Sequence, residues 1–427
     1  MEFYAFGETA ILDPDDTKGI GNHIFSAIEA YTPGAENICI VPPDFSRYQS
    51  GAGGITNMLW KHFGPKVKAV IPALGTHHPM TQAETRSMFG NIPENLFRHH
   101  NFQTDVTTLG RIPAELIEEL SEGRLAFDWP VQMSKLISGG GFDCIVSIGQ
   151  VVPHEITGMA NYTKNLLIGT GGKEAIDKSH YLGAVYGMER IMGVTDTPVR
   201  RLLNTAAKQF LDTFPVLYIL TVIEQNDQGS GTIAGIFIGN SDTCFQKAAG
   251  LSRSVNVHMV KEPLKNCIVY LDPEKYNNFW IGNKGIYRLR MAMADGGTLW
   301  VYAPGLQSCG EDAAADAIIR KYGYIGTDNI IRLVQRKKDL QENLRAAAHL
   351  IHGSTEDRFS VVVSTQLMDR REIEGLNYSY CCPSEFGGRF PLHAFTPGWN
   401  TALNGDQVYY VPDPALGLWS AEKNGYQ

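Results

Sequence analysis

ENICIVPPDFSRYQSGAGGITNMLWKHFGPKVKAVIPALGTHHPMTQAE, residues 36–84, decides the fold. Its first apolar run, ENICIV, is short, β-branched and stopped by Pro42-Pro43, which reads as a buried strand ending in a turn. Gly51, Gly53 and Gly54 follow, and then ITNMLWKHF carries helical spacing. VKAVIPALGT is a second buried strand. Thr81 and Glu84 after it make a T-x-x-E capping box, so a helix starts near Thr81. Strand, helix, strand, helix is the signature of βα units on a largely parallel sheet.

Working outward, the pattern recurs. FDCIVSIGQ, residues 142–150, is another strand, entered through Gly139-Gly140-Gly141. CIVYLDP and TLWVYAP, residues 267–273 and 298–304, are strands flanking a helix over about 277–294. A chain of 427 residues exceeds what one hydrophobic core organises, so two α/β domains are expected. The first spans 1–260 and the second 268–390. The tail 391–427, rich in aromatics and prolines, is expected to pack back on the first.

Composition narrows the classes of function. With 43% hydrophobic residues, 19% charged and 44 glycines the chain is globular. A formal charge of −8 offers no basic stripe for nucleic acid. No apolar run reaches membrane-spanning length. The start, MEFYAFGETAILDPDD, lacks the basic opening and apolar core of a secretion signal. The seven cysteines read as reduced thiols, and adjacent Cys381-Cys382 lack zinc-site spacing. A cytoplasmic protein with no structural zinc is the expectation.

Ligands of open parallel sheets bind beyond the carboxyl ends of the strands. Three strand ends carry chemistry there: Asp44 and Arg47 in PPDFSR, His77 and His78 in ALGTHHPMT, and His154 in GQVVPHE. Singly, each histidine is more simply a packed or capping residue, and Arg47 could be a structural partner of Asp44. Three such ends on one sheet edge favour a site. His77 lies near the start of the Thr81 helix, whose partial positive charge disfavours imidazolium and leaves a base usable near neutral pH. PHEITGMANYTKNLLIGTGGKEAIDKSHYLG, residues 153–183, adds Gly158, Gly169, Gly171 and Gly172 with Lys164, Lys173, Lys178 and His180. Clustered glycines and lysines suit a phosphate, although the spacing is neither a P-loop nor a dinucleotide fingerprint. A plain NAD-dependent dehydrogenase is disfavoured for the same reason. His180 alone is no metal site, so any metal there needs donors from a cofactor. In IGNKGIYRLRMAMADGG, Lys284 stands on a helix with Arg288 and Arg290, whose simplest reading is a solvated basic face.

Together these motifs resemble the nickel-dependent lactate racemase family. Asp44-Phe45-Ser46-Arg47 is similar to its D-x-T-R, and Gly75-Thr76-His77-His78 to its G-x-H-R. Pro153-His154, Gly158 and Lys164 keep its P-H-x-x-x-G-(five residues)-K interval. His180 falls sixteen residues after Lys164, and Lys284 twelve before Gly296-Gly297, as in the family.

The resemblance implies two Rossmann-like domains with the active site in the cleft between them. It also implies a nickel-pincer nucleotide, pyridinium-3,5-bisthiocarboxylic acid mononucleotide nickel, supplied by cofactor-synthesis enzymes. His180 would be the nickel ligand and Lys164 would hold a thiocarbonyl arm. Gly158, and with it Gly169, would receive the phosphate, while Asp44 would support the pyridinium side. His77 and His154 would be the acid/base pair, and Arg47 and Lys284 would orient the substrate. The reaction implied is inversion at C2 of a 2-hydroxy acid through a 2-keto acid. Epimerisation of an aldonic acid with the same cofactor, and non-catalytic binding of that cofactor, are the alternatives. The pair His77 and His154 argues against the last. His78 in place of arginine, Met159-Ala160-Asn161-Tyr162 in place of a Ser/Gly-rich stretch, and Ile281 in place of glutamine point away from lactate as the substrate.

Overall fold

The computed structural model describes residues 4–5, 19–225 and 231–424. Apart from residues 4–5, the amino-terminal segment read above for a secretion signal lies outside them. Two compact units form, Met1–Leu182 with Ile191–Asn256, and Gly183–Arg190 with Val257–Gln427.

In the first unit the strands are β1 (Tyr4–Ala5), β2 (Ile38–Val41), β3 (Val67–Val70), β4 (Val106–Ile112), β5 (Trp129–Ser134), β6 (Cys144–Gln150), β7 (Pro153–His154), β8 (Gly158–Met159), β9 (Val216–Gln225) and β10 (Gly231–Gly239). Six of them build one sheet in the order β1-β10-β9-β6-β2-β3. The pairs β3·β2, β2·β6 and β6·β9 are parallel, whereas β10 runs antiparallel to β9 and to β1. All seven residues of β6 are buried, because a central strand of a doubly covered sheet has no solvent face. Cys144, Val146 and Ile148 enter one apolar cluster with Ile24 and Leu59. Ile145 enters the opposite one with Leu166, Ile176 and Phe245. The chain steps from β2 to β3 on one side and then returns to β6 on the other, so β2 and β6 mark the switch point where loops diverge.

The second unit holds β11 (Val257–Val260), β12 (Leu264–Tyr270), β13 (Met293–Tyr302), β14 (Phe359–Ser364), β15 (Ser379–Tyr380), β16 (Gly398–Thr401), β17 (Gln407–Val411) and β18 (Leu418–Ala421). Its sheet runs β15-β14-β13-β12-β17-β16, parallel except for β16 against β17. Two mostly parallel, helix-flanked sheets are the α/β class read from the sequence.

The tail departs from expectation. β17 hydrogen-bonds to β12, and β18 pairs with β11, so 391–427 completes the second unit instead of returning to the first. Unpaired edge groups of β12 are a stronger attractor than aromatic surface alone. The helix expected over 277–294 is two short helices, Phe279–Gly282 and Lys284–Leu289. Arg288 and Arg290 are buried, not a solvated face. Arg290 pairs with Glu189 at 2.6 Å and donates to the His352 carbonyl at 3.0 Å.

Candidate active site

The capping box forms as read. Thr81 Oγ1 accepts from the Glu84 N–H at 3.2 Å, and Glu84 Oε2 accepts from the Thr81 N–H at 2.7 Å. It anchors the helix Gln82–Phe89 just beyond His77. After β2, Pro42-Pro43 turns the chain and Asp44 opens a short 3-10 segment, Phe45–Ser50, that carries Arg47. The His77 side chain is 44% exposed and that of Asp44 only 10%, yet His77 Nδ1 lies 2.5 Å from Asp44 Oδ2. Burial, the largest influence, raises the Asp44 pKa. The hydrogen bond and charge of His77, the Ser46 hydroxyl and the Arg47 charge together outweigh it and leave the carboxyl below its ordinary value. An ionised carboxylate only accepts, so His77 carries a proton on Nδ1. Asp44, assigned by resemblance to the pyridinium side of a cofactor, here orients an imidazole.

His154 is set differently. It is 7% exposed at the end of β7, and its Nδ1 accepts the backbone N–H of Ile156 at 3.1 Å. The proton of the neutral ring is therefore on Nε2. Burial first, then the charges of Lys164, Arg47 and His180, drive its pKa well below the ordinary value, and Glu155 opposes this only in part. Glu155 Oε2, 3.9 Å from Nδ1, consequently faces a neutral ring and forms no ion pair with it.

Lys164 sits in the helix Thr163–Leu167. Asn165 fastens that turn to the sheet, donating to the Val41 carbonyl at 3.1 Å and to Ser147 Oγ at 2.9 Å. Burial and the charges of Arg47 and Arg200 bring the Lys164 ammonium down to about 8, with Glu155 and Asp44 opposing. His180 lies in the helix Lys173–Tyr186, where its Nδ1 meets the Ile176 carbonyl at 2.7 Å. A carbonyl only accepts, so this ring too is protonated on Nδ1. Arg47 acts on Asp44, His154 and Lys164 alike, which ties the loop after β2 to the segment after β6. Among the described residues Arg47 makes no salt bridge, which sets aside its reading as a structural partner of Asp44. His78, next to His77, is exposed. Lys284 lies in the second unit at the start of the helix Lys284–Leu289, half-buried.

The glycines are tightly packed. A Cβ on Gly158 would lie 1.8 Å from the Val194 carbonyl oxygen, and one on Gly169 would lie 2.4 Å from that of Asn165. The Gly169 N–H already bonds the Lys164 carbonyl at 3.0 Å. Close packing of backbone on backbone is by itself enough to require glycine at these positions.

Between them stands a feature the sequence reading missed. Asn161 and Tyr162 hold φ of 64° and 61°, where side chains are strained. Arg200, 2% exposed, grips this turn, donating to the carbonyls of Met159 (2.6 Å) and Asn161 (3.2 Å) and to Thr163 Oγ1 (3.0 Å). Its guanidinium also stacks 4.3 Å over Phe245. The stretch lacking the family's small residues thus keeps a glycine-like backbone by bracing it with a buried cation. The only hint in sequence was a second basic residue, beside Arg201, in the apolar-rich PVRRLLNTAAKQF.

A two-unit α/β protein, with imidazole, amine and guanidinium groups gathered at a topological switch point of its first unit, is the class these observations define. Residues 20–191 match the lactate racemase N-terminal domain family, so that part of the chain is similar to the N-terminal domain of lactate racemases. Among solved structures, a Thermotoga maritima protein superposes with a TM-score of 0.81 at 23% identity, covering 98% of this chain and 100% of that one. The lactate racemase apoprotein from Thermoanaerobacterium thermosaccharolyticum superposes with a TM-score of 0.69 at 17% identity, covering 96% of each chain. At these identities the likeness is one of fold. No curated protein matches the chain. Among the described residues no three His, Cys, Asp or Glu side chains group as a metal site, and no helix is long and apolar enough to cross a membrane.

Proposed function

We propose that this protein is an isomerase that inverts C2 of a 2-hydroxy acid and binds a nickel-pincer nucleotide to do so. The observation that carries the reading is the presence, in one unit, of His180, whose Nδ1 meets a backbone carbonyl, and of a Lys164 amine near pKa 8. The donor set fits such a group. One imidazole nitrogen is oriented as a ligand by a second-sphere carbonyl, and an amine that is partly neutral at pH 8 can bond to a thioacid arm. The absence of a three-residue metal cluster among the described residues is compatible with a cofactor that brings its own donors.

When bound, the nucleotide supplies an electrophilic carbon able to take up hydride. The chain's own residues do the rest. Arg47, carrying a positive charge between Asp44 and His154, holds the substrate carboxylate. His77 Nε2, with Asp44 steadying the Nδ1–H, takes the hydroxyl proton as the C2 hydrogen departs with its electron pair. The product of that step is a 2-keto acid. Return of hydride to its opposite face, with return of the proton to oxygen, completes inversion. A protein that merely stored the cofactor would have no use for an Asp44-supported imidazole.

The test is co-expression with cofactor-synthesis enzymes, followed by chiral analysis over a panel of single-enantiomer 2-hydroxy acids and aldonic acids. Interconversion of at least one, with lactate not the best, is expected. Inertness of nickel-loaded protein toward the whole panel would overturn the reading.

A further inference from the structure

In the second unit one buried imidazole is wholly engaged by the protein itself. His349, on the helix Leu344–Gly353, is 5% exposed. Its Nδ1 lies 3.0 Å from the Tyr287 hydroxyl, and its Nε2 lies 3.1 Å from that of Tyr324 and 3.4 Å from Asn283 Nδ2. Both ring nitrogens are taken up, which leaves neither for a substrate or a metal. The face of the ring is used as well. Trp280 stacks on it, with centroids 4.7 Å apart and planes 20° from parallel. Trp280, Asn283 and Tyr287, spaced as i, i+3 and i+7, share one side of the two short helices Phe279–Gly282 and Lys284–Leu289. One side chain, far away in sequence, therefore grips this stretch on both sides of its break at Asn283.

Lys284 stands at that break, next to Asn283 and one helical turn on from Trp280. We infer that His349 is a positioning residue for Lys284, fixing the backbone from which the lysine amine meets an oxygen of the substrate. The inference rests on the isomerase reading above, with Lys284 orienting the substrate as the family resemblance implies, and adds the residue that sets where that amine is delivered. A lysine stem is four flexible carbons, so the place its ammonium reaches depends on the backbone that carries it. Here that backbone is a helix of 4 residues followed by one of 6. Neither is long enough to hold its shape in water without tertiary contacts. His349 supplies such contacts at the break and on either side of it. An ammonium has three donors, so a partner within the protein does not prevent one from serving a carboxylate or hydroxyl oxygen. A phenyl ring in place of His349 would keep the stack on Trp280 and lose all three polar contacts.

The test is a double-mutant cycle on cofactor-loaded, full-length protein with the best panel substrate. His349→Phe should lower kcat/KM about 10- to 100-fold, and Tyr287→Phe, which deletes one hydroxyl, about 3- to 10-fold. In a Lys284→Ala background each should cost less than about threefold, because the group they misplace is already gone. Undiminished losses in that background would reject the inference, since a residue needed only for folding costs as much with or without Lys284. A second arm needs no activity. In cofactor-free protein, competitive acylation with peptide mass analysis should show Lys284 reacting at least about threefold faster in both variants than in wild type. Lys178 of the first unit, whose side chain is 19% exposed, is the internal reference and should not change. Equal Lys284 rates in wild type and Tyr287→Phe would also reject the inference, and that variant decides the matter if His349→Phe does not fold. Inactivity of wild type on every substrate would reject the isomerase reading, and the acylation rates would still show whether His349 sets Lys284.

Discussion

Nδ1 of an exposed His77 sits 2.5 Å from Oδ2 of a buried Asp44, so a solvent-facing imidazole is steered by a carboxylate that solvent hardly reaches. The lowered Asp44 pKa gives this contact a signature in stability. A carboxyl ionised more readily folded than unfolded contributes above its unfolded value, near 4, and that contribution disappears as the pH falls through its lower folded value. Urea unfolding between pH 3 and 7 should show wild type losing more stability on acidification than Asp44→Asn. Parallel curves would mean that the pair adds nothing to the folded state.

Lys164 has the opposite sense. Its folded pKa, about 8, lies below the ordinary 10.5, so the buried ammonium opposes folding below pH 8, and the penalty fades as the pH climbs toward 10.5. Lys164→Met should stabilise the cofactor-free protein by about 1–3 kcal/mol at pH 7. Competitive acylation followed by peptide mass analysis should show Lys164 reacting with a midpoint near 8, ahead of surface lysines. A midpoint near 10.5 would contradict the electrostatic environment described.

His180→Ala should leave the thermal unfolding of cofactor-free protein within about 1 kcal/mol, since the Nδ1 bond to the Ile176 carbonyl lies within a single helix. After co-expression with the cofactor-synthesis enzymes, bound nickel by elemental analysis should fall to background. Retained nickel would move the ligand elsewhere.

Arg200 holds the strained Asn161-Tyr162 turn through carbonyls and a hydroxyl, all buried. Arg200→Leu strands those acceptors and should cost about 2–4 kcal/mol in denaturant unfolding. The amide exchange of residues 159–165 should rise with it.

Gly158→Ala separates packing from cofactor contact. A Cβ only 1.8 Å from the Val194 oxygen, on a backbone with φ of 77°, must displace main chain. Cofactor-free protein should lose about 2 kcal/mol or more. Unchanged stability with weakened cofactor binding would restore the phosphate role.

Much of the fold was legible because buried parallel strands advertise themselves. CIVSIGQ and CIVYLDP are continuous apolar runs that no amphipathic surface element would carry. The polar strand ends were legible for the same reason: Asp44, Arg47, His77 and His154 each follow such a run directly. The placement of 391–427 was hidden, since which edge an isolated GWNT or QVYYV will pair with depends on hydrogen-bonding groups far away in sequence. The role of the glycines of residues 158–172 was not legible because close backbone packing and anion binding ask for the same residue. Arg200 was hidden because its partners are carbonyls, and every residue has one. Proton positions on the three rings were beyond any motif, being set by which atom, Asp44 Oδ2, the Ile156 N–H or the Ile176 carbonyl, each nitrogen happens to face.

That 44% of the His77 side chain is open to water reaches into isotope bookkeeping. In the proposed reaction a proton it lifts from a substrate hydroxyl would exchange with the surrounding liquid. In that reaction the hydrogen on carbon would never rest on a nitrogen or an oxygen and would have no such exit. Turnover in heavy water should therefore yield inverted molecules whose carbon-bound hydrogen is still the light isotope they arrived with.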